Sequence, residues 1–321
     1  MRFSYFSCYN VRMEKKRNVF LLVDGPAIVH RAYHAMPPFT TSKGIPTGAI
    51  HGFFAMFLKL IQQLKPAYIV VAFDRAKPTF RKQLYVGYQA QRPKMESDLS
   101  SQYEAIIDIL HKAKIQEVGV DGYEADDVIG TLSEAANKQG IFTYIVTGDR
   151  DMLQLVDQDT FVLMPVKGIS EVKLLDNADV KEKYSVDPSQ FVDLKALTGD
   201  PSDNYPGVPG VGPKTASNLI ADYGTVDNIY KHLDDIAVKN KALAQKLIDG
   251  AEAATLGKKL AAIVTDVPFV CNLKDCKTQK IDIGAFKNAL EEFEFKTLPK
   301  RVDEVFVKKE ETKKQNQMKL L

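Results

Sequence analysis

Three short apolar runs, VFLLV at 19–23, YIVVAF at 68–73 and IFTYIV at 141–146, alternate with stretches of helical periodicity at 48–64, 99–114 and 125–139. Continuous runs rich in β-branched and aromatic residues are what strands buried on both faces require, and such strands belong to parallel sheets covered by helices. The order strand, helix, strand predicts a doubly wound α/β unit. After about residue 188 the strand-like runs stop, and 190–198, 214–223, 226–232, 239–249 and 251–261 read as short helices. The expected organisation is an extension at 1–17, an α/β domain at 18–188, a helical subdomain at 189–302 and a polar tail at 303–321. Met13 precedes the first run closely enough to be the true start, which would make residues 1–12 dispensable.

Each of the three runs leads directly into acid. The first ends in Asp24-Gly25, the second in Asp74, and the third in Thr147-Gly148-Asp149. The carboxyl ends of parallel strands are where open α/β sheets place their ligand crevice. Asp151 follows Asp149 by two residues, so in extended chain both would face one side. Glu124, Asp126 and Asp127 crowd a predicted helix start, and Asp200 and Asp203 are three apart, neighbours if one helical turn holds them. Taken singly, these are ordinary turn and cap residues. Nine carboxylates on one edge would repel one another unless something cationic offset them. Oxygen-only ligands in that number point to Mg²⁺ or Mn²⁺, two ions roughly 4 Å apart in the arrangement used on phosphodiesters.

Other chemistries fall away. The five histidines supply no zinc motif, there is no G-x-S-x-G, and DRDMLQ lacks the spacing of a calcium-binding EF-hand. The glycine-rich stretch 207–215 is not a Walker A loop, since Pro213 separates Gly212 from Lys214 and no strand precedes it. No segment is long enough to span a membrane. Cys8, Cys271 and Cys276 are an odd count with no CxxC, so a disulfide framework is not expected and a reducing cytoplasm is the simplest compartment. A net charge of +2 does not decide whether a polyanion binds, because position matters more than sum. The stretch 75–95 holds Arg75, Lys77, Arg81, Lys82, Arg92 and Lys94 with no acid, interleaved with Phe80, Tyr85 and Tyr88. Cations for phosphates and rings for bases suit a single strand. The hairpin 206–214 offers glycine backbone and a helix N-terminus to duplex phosphates, with Lys214 and Thr215 adding side-chain contacts.

The motifs LLVDG (21–25), VVAFD (70–74), GYEADDVIG (122–130), TGDRDMLQL (147–155), ALTGDPSDNYPGVPGVGPKTA (196–216) and LEEFEFKTLPKR (290–301) resemble the 5′-nuclease domain that opens bacterial DNA polymerase I. Phage 5′-nucleases and eukaryotic flap endonucleases belong to the same superfamily. The resemblance covers roughly residues 18–302. It implies a PIN-like 5′-nuclease fold with a central, mostly parallel sheet flanked by helices, a helical arch at about 75–105, and a C-terminal helix-hairpin-helix subdomain. It implies Mg²⁺ held by Asp24, Asp74, Glu124, Asp126, Asp127, Asp149, Asp151, Asp200 and Asp203, and K⁺ near the Gly207, Gly210 and Gly212 backbone. Arg81 and Arg92 would neutralise the scissile phosphate, Tyr88 would stack on a terminal base, and Lys77, Lys82, Gln89, Lys214 and Thr215 would contact DNA. Gln89 stands where the family usually has lysine. The implied substrates are DNA with a 5′ flap or 5′ end and RNA primer–DNA hybrids, handled by a monomer. A metal-dependent ribonuclease on a related fold, or a DNA-binding module with weakened catalysis, are the competing readings. No polymerase domain follows in this sequence, so a stand-alone nuclease and a fragment are both expected forms.

Overall fold

The computed structural model describes residues 17–168, 171–269 and 271–306. The three apolar runs are strands: β1 (Val19–Asp24), β2 (Tyr68–Ala72) and, after a short β3 (Gln116–Val118), β4 (Phe142–Val146). With β5 (Thr160–Lys167) and β6 (Glu171–Leu175) they form one sheet of order β3-β2-β1-β4-β5-β6. The first five run parallel and only β6 pairs antiparallel. The chain leaves β1 toward β2 and β3, then returns to the other side at β4. The register puts Asp24 beside Ala72, and Val23 beside Val146, so the acids that follow these strands emerge at one edge.

Helices cover both faces. On one side lie α1 (Gly25–Ala35), α2 (Gly48–Leu64) and, after the five-residue α3 (Phe80–Leu84), α4 (Ser97–Lys112). Val19, Leu21 and Val23 of β1 point into this core. On the other side lies α5 (Ala125–Asn137), over Phe20 and Leu22. That second core continues without a break into the helical part: α6 (Asn177–Tyr184), α7 (Phe191–Thr198), α8 (Pro213–Tyr223), α9 (Val226–Lys231), α10 (Leu233–Lys239), α11 (Lys241–Asp249) and α12 (Ala251–Ala261). The last two helices, α13 (Ile283–Glu291) and α14 (Leu298–Phe306), return to the first face and pack on α4 and α2.

Several expectations are corrected. Strands do not stop at residue 188: β7 (Gly199–Asp200) and β8 (Tyr205–Pro206) form a two-residue ladder. The pairing is possible because Gly207 lies against Gly199, and a Cβ on Gly207 would sit 2.3 Å from the Gly199 nitrogen. Of the segment 75–105 expected as an arch, residues 97–105 belong to α4, a core helix from its first turn, with Leu99 at 2% exposure. Residues 303–306 belong to α14 rather than to a tail, and Val305 is buried. The predicted helix at 239–249 begins at Lys241, after a separate α10. Of the expected extension at 1–17 only Arg17 is described, and it pairs with Asp159 at 2.6 Å. The remaining residues of the extension, Met13 among them, and the tail from 307 lie outside the described residues.

Candidate metal centre and nucleic-acid interface

The crevice lies at the carboxyl edge of β1, β2 and β4, beside the point where the strand order reverses. Gly25 lets β1 reach it: a Cβ there would lie 2.5 Å from the Phe73 ring and 2.7 Å from the Ala72 carbonyl. Asp24 caps α1, with Oδ1 accepting the Ala27 N–H at 3.0 Å and Oδ2 accepting the Thr147 hydroxyl at 2.5 Å. Thr147 in turn accepts the Asp149 N–H at 2.8 Å, which ties the ends of β1 and β4 together. Asp74 accepts the Ala125 N–H at 2.8 Å and so anchors the start of α5 at the same place. Asp149 and Asp151 are not in extended chain. Asp149 Oδ1 accepts the Asp151 N–H, and Asp151 opens a 3₁₀ turn over Asp151–Leu155. Asp200 and Asp203 are held by a tight turn rather than a helix, with Ser202 donating its N–H to Asp200 at 2.7 Å.

The acids form two adjoining groups. Asp151, Asp200 and Asp203 present carboxylate oxygens within 4.8 Å of one another. Asp24, Asp74, Asp126 and Asp149 make up the other group, and they feel one another's charge. Burial, joined by Asp149 and Asp74, pushes Asp24 up to about 7. Burial and the charge of Asp149 push Asp151 up to about 7, and burial with four neighbouring acids pushes Asp126 well above the ordinary range. Asp149 and Glu124 are raised too, each chiefly by burial, and Asp74, an exposed residue, is raised as well. Burial is the larger cause of these shifts, and the charge of neighbouring acids adds to it. The donors are all hard oxygens, the set that suits a divalent cation of the magnesium class.

Two of the nine acids are engaged elsewhere. Asp127 is fully buried in a two-pronged pair with Arg81, at 2.7 and 2.8 Å, and also accepts the N–H groups of Glu124 and Val264. Glu124 caps α5, takes the Thr79 hydroxyl at 3.1 Å and accepts Arg81 Nη1 and the Tyr88 hydroxyl at 3.2 Å each. Arg81 itself is 2% exposed. Its remaining donors go to the carbonyls of Leu260 and Ala262, so all five N–H groups are used and none is left for a phosphate. Arg81 is a pin between the arch, α5 and the end of α12, not a phosphate clamp. Tyr88 is likewise buried, its ring parallel to Tyr205 and its hydroxyl donating to Asp203 at 3.0 Å. It does not offer a face to solvent on which a base could stack.

The other basic residues fare differently. Arg92 is half exposed and reaches Asp203 at 2.6 Å. Gln89 adopts a left-handed φ of 54°, donates its backbone N–H to the Asp203 carbonyl, and places its amide 3.3 Å from the Asp203 carboxylate. Lys82 is exposed, and Lys77 is exposed but paired with Asp121. At the hairpin, Gly207 faces inward against Gly199, whereas Gly212, which precedes α8, has open space around it. Lys214 is exposed, Thr215 half-buried. The Gly210 carbonyl accepts Lys246 Nζ at 3.3 Å.

One residue escaped the sequence reading. Lys195 of α7 lies between Asp151, at 2.6 Å, and Asp200, and is the only cation in direct contact with the three-acid group apart from Arg92 among the described residues. Burial works against its charge, yet Asp151 and Asp200 hold it up to about 12. Asp200 is correspondingly held below the ordinary carboxylate range by Lys195 and Ser202 despite its burial. The signal was the only cation of a short helix, five residues before Asp200.

Comparison with known proteins agrees with this geometry. Residues 19–185 match the family described as "5'-3' exonuclease, N-terminal resolvase-like domain", and 186–284 match "5'-3' exonuclease, C-terminal SAM fold". The chain is 38% identical over 285 residues to the 5'-3' exonuclease of Aquifex aeolicus, covering 89% of this chain and 95% of that one. It is 40% identical over 286 residues to DNA polymerase I of Caldicellulosiruptor bescii, covering 88% of this chain and 33% of that one. The chain thus spans about a third of the length of such polymerase relatives. The fold is also that of the T5 5'-exonuclease with zinc ions bound, at a TM-score of 0.64 and 22% identity over 85% of this chain and 99% of that one.

Proposed function

The chain belongs to the 5'-3' exonuclease family, and from that membership we propose that it is a Mg²⁺-dependent, structure-specific nuclease. It hydrolyses DNA phosphodiesters at 5′ ends and at the base of 5′ flaps, and removes RNA primers paired to DNA. The observation that carries this reading is the convergence of Asp24, Asp74, Asp126, Asp149, Asp151, Asp200 and Asp203 on one sheet edge beneath a basic loop.

Two divalent cations, which these seven aspartates would hold, would supply Lewis-acid stabilisation of the phosphodiester and a nucleophilic water. The residues of the chain do the rest. Thr147 fixes the Asp24 carboxylate by donating its hydroxyl to it and the Asp149 backbone by accepting its N–H, while the Asp151 N–H holds the Asp149 carboxylate. Lys195 keeps Asp151 and Asp200 from repelling each other before cations enter. Arg92, half exposed at the rim, swings from Asp203 to the scissile phosphate, and the exposed Lys82 of the same basic segment contacts the DNA. Lys214, Thr215 and the exposed start of α8 hold the backbone of the adjoining duplex. A K⁺ ion at the hairpin belongs to the same reading, although Lys246 already takes the Gly210 carbonyl. The enzyme works as a monomer in the cytoplasm, where its substrates lie.

A labelled 5′-flap duplex and a single-stranded RNA, each incubated with Mg²⁺ or EDTA, test the reading. Cutting at the flap junction with Mg²⁺ and not with EDTA is expected, and Asp149→Asn should abolish it while retaining flap binding. RNA-only cutting would make the protein a ribonuclease, and metal-independent binding without cutting would make it a DNA-binding module.

A further inference from the structure

Residues 271–276 form a tight turn whose last residue is tied to the amino end of β2. Cys276 is buried, and its carbonyl accepts the Ile69 N–H at 2.8 Å. Lys277 forms an antiparallel bridge with Tyr68, and the Thr278 hydroxyl donates to the Pro66 carbonyl. These contacts fix Cys276 to the sheet. Cys271, at the other end of the turn, is half-buried and lines a surface groove with Arg75, Gly119, Phe269 and Asp275. The turn is closed by N–H groups of Asp275 and Cys276 donating to the carbonyls of Asn272 and Leu273. It brings the two Sγ atoms to 3.4 Å. Neither thiol has any part in the nuclease chemistry.

We propose that Cys271 and Cys276 are a redox-responsive dithiol that closes to an intramolecular disulfide by exchange with a low-molecular-weight disulfide such as oxidised glutathione. A disulfide needs its sulfurs about 2.05 Å apart, so a closure of roughly 1.4 Å is required, within the reach of side-chain rotation and small shifts of the Cys271 arm. In the first step the Cys271 thiolate attacks one sulfur of oxidised glutathione. The glutathione S–S bond breaks, and one glutathione leaves and takes up a proton. In the second step Cys276 gives up its proton and attacks the Cys271 sulfur, releasing the second glutathione. The two thiol hydrogens of the protein are thus balanced by two on reduced glutathione.

The surroundings set the order. The Cys276 thiol hydrogen-bonds to Cys271 and holds it below the ordinary thiol range. That bond, burial and the charge on Cys271 hold Cys276 above it. Once Cys271 is capped, its charge no longer restrains Cys276, which becomes the resolving thiol.

The full chain is treated with oxidised glutathione, its remaining thiols are alkylated, and the protein is digested with trypsin. Lys274 lies between the two cysteines, so a disulfide leaves two peptides joined, and dithiothreitol separates them. The expected results are this joined pair in the parent protein and a stable glutathione adduct on Cys271 in Cys276→Ser. In Cys271→Ser, Cys276, which is buried, should react at least ~10-fold more slowly than Cys271 does in Cys276→Ser. A stable adduct on Cys271 in the parent, a cross-link to Cys8, or preferential modification of Cys276 would overturn the proposal. The parent digest alone decides it if a variant fails to fold.

Discussion

Arg81 and Arg92 come from the same acid-free loop, yet one is interior and the other is not. Arg81→Met would leave Asp127 charged, fully buried and without its partner, at a cost of ~3–5 kcal/mol of stability. Arg92→Gln removes an ion pair that is half in water, worth at most about 1 kcal/mol, but it removes the cation available to the phosphate. The expected outcome is a lowered melting temperature for Arg81→Met, and for Arg92→Gln an unchanged one with single-turnover cleavage reduced about 10²-fold. Thermal melts beside cleavage rates check both; equal melting of the two variants would refute the division. The acids also make stability depend on pH. Asp24 and Asp151 titrate near 7 when folded, and near 4 when unfolded. Between those values the native state binds more protons than the unfolded one, so their contribution is complete below about pH 4 and is lost as pH rises through about 7. Divalent cations compete with those protons. The rise in melting temperature caused by Mg²⁺ should therefore be larger at about pH 8 than at about pH 5. His30 and His51, which burial holds below their ordinary value, pull the other way, but they cancel when melts with Mg²⁺ and with EDTA are subtracted.

At the scale of elements, β1, β2, β4 and α2 were legible because burial on both faces, or along one broad stripe, writes itself as a run or a period. β3 was not, since its three residues Gln116, Glu117 and Val118 are all half-buried and form no run. β6 alternates exposed Glu171 and Lys173 with inward Val172 and Leu174, an edge pattern that a search for continuous runs passes over. Asp24, Asp74 and Asp149 were legible as a group because the ends of β1, β2 and β4 locate them. The partnership of Arg81 with Asp127 was not, because sequence does not say which way either side chain turns from its helix. The hairpin before α8 divides in the same manner. Gly207→Ala would drive a Cβ into the Thr198 carbonyl carbon at 2.2 Å, parting β7 from β8 and displacing Asp200 and Asp203. Lys214→Ala touches only solvent-facing structure. It should leave the fold intact, weaken duplex binding equally for all sequences, and reduce the salt dependence of binding by about one phosphate contact. Binding titrations over a salt series read this directly. A sequence-dependent loss would mean that Lys214 reads bases.

Over the whole molecule, the expected division at residue 188 does not separate two cores. Phe20 and Leu22 of β1 share one apolar cluster with Leu197, Leu219, Ile229 and Leu247 of the helical part, so the sheet's second face is closed by that part. This continuity keeps Asp200 and Asp203 in register with Asp149 and Asp151, although some fifty residues separate them in sequence. The first face is closed in an equally non-local way. The match to the second exonuclease domain ends at residue 284, but the chain goes on to lay α13 and α14 over α4 and α2. Phe286, Leu290, Leu298 and Val302 are all at 0% exposure. Burying each such side chain contributes ~1.5–3 kcal/mol, and four of them together reach the ~5–15 kcal/mol that holds a typical domain folded. Removing α13 and α14 would also bare the apolar faces of α2 and α4 that they cover. A chain ending at residue 282 is therefore expected to aggregate or to lack a cooperative melt, even though every acid of the proposed metal centre is still present. Expression of that truncation beside the full chain, followed by calorimetry, checks it. A cooperative melt close to that of the full chain would show that the two helices are an accessory layer and that the first core closes without them.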